Sequence, residues 1–175
     1  MRGSEAFWGT AVVGISAAVN AAHTTSHVGQ HVMSLPAWQL AYIAVVIYAA
    51  PVVAAVLLWT RFRRSGAWLL ATSMAGSLVF GLLYHFLVPG PDNVFTQPPG
   101  PWRTAFAVTA VLLSLLQAVG VLAGLMVARR TRRAASRSAG RGRVVGGSSG
   151  SRRRAKRSVV VRQQRVNSWS RERFF

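Results

Sequence analysis

Four histidines hold most of the ligand chemistry this chain can offer. His23, His27 and His31 recur at four-residue intervals, and His85 stands apart from them. Neutral imidazole is the commonest metal ligand, and two histidines four residues apart on a helix can share one ion. No Glu follows the first histidine, so the H-E-x-x-H protease motif is absent. Asp92, the only acid between Glu5 and Glu172, is a candidate fifth ligand or an outer partner for an imidazole. The chain has no Cys, which removes thiolate zinc sites, Fe–S clusters, disulfides and a Cys nucleophile. Imidazole without thiolate suits Zn, Cu, Fe or Ni, and Met33 would add a thioether for copper. His23 or His27 with His85 would instead supply the two axial ligands of a haem. The nucleophile-elbow, P-loop and dinucleotide motifs are all missing, and paired carboxylates for glycoside chemistry are unavailable. No catalytic residue is therefore assigned.

The elements that must position these residues are written in the apolar runs. Hydrophobic residues make up 51% of the 175, yet the net charge is +18. The charge is segregated: from Arg129 onward, 15 Arg and Lys156 face only Glu172. Before it lie four runs free of charge, at about 7–28, 38–59, 67–88 and 104–127. A helix needs about 20 apolar residues to cross the hydrocarbon core. The pattern predicts an all-α polytopic membrane protein, a four-transmembrane-helix bundle over 1–128, in which Pro51 kinks the second span. Reading the first run as a cleaved signal peptide is the alternative, with Asn20-Ala21-Ala22 as the cleavage site and a new terminus at His23. Composition excludes an ordinary soluble enzyme, since only 14% of residues are charged.

Residues 129–175 are rich in Arg, Ser and Gly and are expected to be a disordered basic tail. Arg129, Arg130, Arg132 and Arg133 follow the fourth span directly, where anionic lipid headgroups lie. The partners expected are the bilayer and those headgroups, with a homo-oligomer as a further option. Nucleic acid is disfavoured, because no recognition fold or aromatic platform accompanies the arginines. The basic link Arg61–Gly66 and the tail belong on the cytoplasmic side of the cell (inner or plasma) membrane. Four spans then place both termini inside and the histidines towards the outer face.

Polar residues inside lipid are costly and informative. Ser16, Asn20, His23, His27, Gln30 and His31 fall on one helical face, and Ser73, Ser77, Gly81 and His85 on another. The fourth span adds Gln117 and the close-packing motif Gly120-x3-Gly124. His27 and His85 lie near the outer ends of their runs, at matching depth. The primary expectation is an outer-side cluster of His23, His27, His31 and His85, with Asp92, that binds a transition metal or a haem. The alternative is a non-catalytic structural or partner-binding bundle whose histidines only join helices.

The His-bearing first span, the stretch FGLLYHFLVPGPDNV over 80–94, and a fourth span with Gln117 and Gly120 resemble small four-span bacterial membrane proteins of unassigned function. The resemblance covers residues 7–128. It implies a fold and no activity.

Overall fold

The computed structural model describes residues 2–32, 35–134 and 136. Met33 and the tail from 137 onward lie outside these, and so do the expectations of a thioether ligand and a disordered tail. The described chain is all helix and loop. Helix α1 spans Arg2–Gly29. It is followed by α2 (Ala37–Leu58), α3 (Arg63–Leu87) and α4 (Arg103–Ala134).

Among the described residues, three of the four helices are long and apolar enough to cross a membrane: α2, α3 and α4. Of the four spans expected, α1 is the one that falls short of that apolarity. With 28 residues α1 has the length, but Ser16, Asn20, His23, Thr24, Thr25, Ser26 and His27 dilute its hydropathy. The start of α4 agrees with the apolar run, and its end passes the run by two turns. Arg129, Arg130, Arg132 and Arg133 are thus helical.

Two helices widen locally to π-type turns, α2 over Ile43–Ala49 and α3 over Leu83–Leu87. In α2 the cause is Pro51. Its ring would crowd the carbonyl four residues back, and it has no N–H to donate. The wide turn ahead of it, closed by the Ala50 N–H donating to Val45 C=O, makes room. In α3 the Val88 N–H donates to Leu83 C=O at 2.7 Å, five residues back. Two four-residue steps from Ser77 through Gly81 would carry His85 roughly 80° round an ideal α-helix. The wide turn absorbs part of that rotation and keeps His85 on the buried face.

Packing divides the bundle into an apolar end and a polar end. At the first, Ala6 and Val13 of α1 meet Ala54 and Leu58 of α2, Ala67, Leu70 and Met74 of α3, and Val127 of α4. Gly124 sets the approach of α4 to α3: a Cβ there would lie 2.7 Å from the Ala67 carbonyl oxygen and from the Ala71 nitrogen. Glu5 fastens the same end, with one carboxylate oxygen 2.5 Å from Arg63 and the other 3.1 Å from Arg130. Val45, Val56, Leu87, Leu115 and Leu122 point outward and exposed, as lipid-facing side chains do.

Candidate functional site

At the opposite end, α1 brings His23 and His27 inward one turn apart, and α3 brings His85 to them. His23 Nε2 lies 3.1 Å from His27 Nε2 and 3.2 Å from His85 Nε2. The three residues are only 5%, 9% and 9% exposed. Phe106 of α4, fully buried, closes the cluster, its ring centroid 4.8 Å from that of His27 and 4.9 Å from that of His23.

Each outer ring nitrogen meets a neighbour. His85 Nδ1–H donates to the Asp92 backbone carbonyl at 2.9 Å, which fixes its tautomer, since a carbonyl can only accept. His27 Nδ1 is 3.4 Å from Asp92 Oδ1, within ion-pair range but without an aligned hydrogen bond. His23 Nδ1 lies 2.8 Å from Thr109 Oγ1 of α4. The loop after α3 folds back to deliver Asp92. Val94 N–H donates to His85 C=O at 2.9 Å, and the Asn93 side chain binds Val88 C=O and Phe95 N–H. The Gln97 amide donates to Pro91 C=O and ties the loop further.

Thr109 decides how the protons are shared. Its hydroxyl has one proton and three takers, Ala105 C=O at 2.7 Å, Phe106 C=O at 3.1 Å and His23 Nδ1. Given to Ala105, it leaves His23 protonated at Nδ1 and three Nε2 lone pairs facing one another. Given to His23 Nδ1, it leaves the proton of neutral His23 on Nε2, shared between His27 and His85. The second arrangement gives all three Nε2 atoms a partner with no added charge, and His27 Nδ1 faces Asp92 without an aligned hydrogen bond. The first leaves three nitrogens that could ligate a single ion, and these ligand atoms lie within 4.8 Å of one another.

The structure brings together His23, His27, His85 and Asp92 and leaves His31 out. Helix α1 ends at Gly29, where His31 N–H donates to Val28 C=O and Val32 N–H to His27 C=O, a Schellman-type stop. His31 takes the left-handed conformation that closes this turn, at φ 57°, and is exposed.

The expected outer-side metal or haem site is overturned. The cluster is buried between helices, its rings bonded to one another, to Thr109 and to the Asp92 carbonyl, as befits an inter-helix joint. The His23–His85 pair does not fit a haem on geometry either. Axial ligands must face each other across a porphyrin, whereas His23 and His85 touch at Nε2.

Phe106 and Thr109 are the participants that sequence reasoning missed. The signal was present: Phe106, Ala110, Leu113, Gln117, Gly120 and Gly124 repeat at alternating intervals of four and three, and all are buried. Extending the Gln117–Gly120–Gly124 face backwards reaches Phe106. No protein-family model matches the chain, and neither does any curated protein or solved structure.

Proposed function

We propose that this protein is a non-catalytic membrane bundle that serves as a structural or partner-binding subunit, its buried histidines joining α1 to α3 and α4. The observation that carries the reading is the unbroken contact chain Thr109–His23–His85–Asp92, with His27 attached to both His23 and Asp92. Helices in lipid gain no hydrophobic drive towards one another, so such polar contacts fix which faces meet. In this reading α1 crosses the membrane as a fourth span. Ser16, His23, Ser26 and His27 turn inward, and the outward face is mostly small and apolar, with Ile15, Ala17, Ala18, Ala21 and Ala22 exposed beside Thr24 and Thr25. The basic end of the bundle lies on the cytoplasmic side of the cell membrane, where exposed Arg129, Arg132 and Arg133 meet anionic headgroups. The outward faces of α2 and α4 are the surfaces offered to a partner or a second copy.

The test is a double-mutant cycle on the full chain in lipid nanodiscs, with His27→Ala and His85→Ala made singly and together. Elemental analysis and a visible spectrum are recorded on each protein. A joint gives non-additive stability losses, with a coupling of about 0.5–3 kcal/mol as for groups in one network. It also gives no bound metal and no Soret band in the parent protein. Additive losses, or a stoichiometric metal that the mutations release, would overturn the reading.

A further inference from the structure

Beneath the histidine joint the helices do not close on one another. Helix α1 packs on α2 chiefly along Ala50–Leu58, and between it and the wide-turn half of α2 lies a cavity of about 250 Å³. Its walls are mainly apolar, from Leu40, Ile43 and Ile47 of α2, Phe80 of α3 and Leu113 of α4. His23, His27 and His85 of the joint and Gln117 of α4 line it too. Both wide turns border the cavity, Ile43–Ala49 along its wall and Leu83–Leu87 through His85. Such turns recur at functional sites.

We propose that this cavity binds a lipid-soluble quinol, a flat ring carrying one O–H donor at each end. Two residues lining it carry a buried side-chain oxygen without a hydrogen-bond partner: Gln117 Oε1, on a residue only 4% exposed, and Asp92 Oδ1, which has His27 Nδ1 at 3.4 Å but no aligned bond. Both atoms accept hydrogen bonds, so the complementary molecule must bring donors. Both residues line the cavity, Gln117 from α4 and Asp92 from the loop after α3. A Cβ on Gly81 would sit 3.7 Å from Gln117 Oε1 and 3.9 Å from His85 Cδ2. Gly81 and His85 are about one helical turn, roughly 6 Å, apart along α3, and Asp92 lies next to His27 beyond them.

Size and access select the same class. A cavity of ~150 Å³ already holds benzene, so this one has room for one or two fused rings. Thr24 of α1 and Tyr48 of α2 line it where the two helices are exposed, hydrogen-bonded to each other at 3.2 Å, and in the reading that both helices span the membrane this exposed side faces lipid. A ligand entering past them comes from lipid rather than water. Its tail can remain in the bilayer while the ring occupies the cavity.

The experiment uses the full chain in nanodiscs and equilibrium dialysis under anaerobic conditions. The probes are 2-methyl-1,4-naphthoquinol, kept reduced with dithionite, and the matching quinone. Saturable binding of one quinol per chain above empty discs is expected, at least tenfold tighter than the quinone, which has no O–H to donate. Gln117→Leu should weaken quinol binding about tenfold, the typical effect of losing one buried hydrogen bond of about 1.4 kcal/mol. Gly81→Leu fills the space between Gln117 and His85 and should abolish binding while the unfolding transition stays in place. Should Gly81→Leu fail to fold, Gly81→Ala, whose Cβ meets only ordinary contacts, should weaken binding several-fold. Uptake no greater than that of empty discs would mean that only water or acyl chains enter, and would overturn the proposal. Equal affinity for quinone and quinol, or undiminished binding by the Gly81 variants, would do the same. The histidine joint is tested by unfolding energies, so the two can fail separately.

Discussion

His23 is the centre of the joint, and its replacement is the most demanding test of that role. The side chain touches three partners: His27 Nε2, His85 Nε2 and Thr109 Oγ1. His23→Ala breaks all three contacts at once and leaves two imidazoles to be satisfied elsewhere. Two of the three, to His85 and Thr109, run between helices; such contacts average about 0.6 kcal/mol and reach about 1.7, so together they amount to roughly 1–3.5 kcal/mol, and the His27 contact within α1 adds a few tenths. Thr109→Val removes only one contact and should cost about 1 kcal/mol. The ratio of the two losses is more diagnostic than either alone, because both variants share lipid, unfolded state and topology. Unfolding of the full chain by a graded denaturant in one fixed lipid mixture measures both. His23→Phe, which keeps the ring and its packing on Phe106, separates lost packing from lost hydrogen bonding. If His23→Ala costs no more than Thr109→Val, or if His23→Phe is as stable as the parent, the histidines do not hold the bundle through their nitrogens.

Two further predictions concern the ends of α1. Glu5→Ala leaves Arg63, only 15% exposed at its side chain, without its carboxylate partner. A loss of about 1.5–3 kcal/mol is expected for a hydrogen bond to a charged group, measured in the same unfolding assay. The Arg130 contact, 64% exposed on the arginine side, should contribute little, so Arg130→Ala should be nearly neutral. His31→Gly relieves a left-handed backbone position that costs an L-residue roughly 1–2 kcal/mol. It should therefore leave stability unchanged or raise it by up to about 1 kcal/mol, because glycine's extra freedom in the unfolded chain offsets part of the gain. A clear loss would place His31 in the joint after all.

The three apolar helices were legible because lipid leaves a long, uncharged record in sequence. The pairing of α1 with α3 through His23, His27 and His85 was legible too, since polar residues at matched depth rarely sit there by chance. His31 was misjudged for a specific reason. Four-residue spacing continues on paper past Gly29, but periodicity says nothing about where a helix stops, and the stop there is made by backbone hydrogen bonds. Burial of the site was missed because depth along a helix is countable, whereas the facing of Phe106 depends on how α4 is rotated. The π-type turns are visible in sequence only through Pro51. Nothing in Leu83–Leu87 announces the second one, which carries the buried His85.

Helix α1 shows how these features depend on one another. It is the helix with too little hydropathy to rank with the other three, and the residues that lower it are those that fasten it. Glu5 binds α3 and α4 at one end through Arg63 and Arg130. His23 and His27 bind the same two helices at the other, through His85 and Thr109. Between the two fasteners, Val13 meets the apolar core. A helix held at both ends can leave a gap beside it without losing its place, and the cavity lies in such a gap, against the wide-turn half of α2. Were α1 held by lipid partition alone, a void of that size next to it would be closed by a small tilt. The polar fasteners therefore account for two properties together: a marginally apolar helix kept in the bundle, and an apolar chamber kept open between that helix and its neighbours.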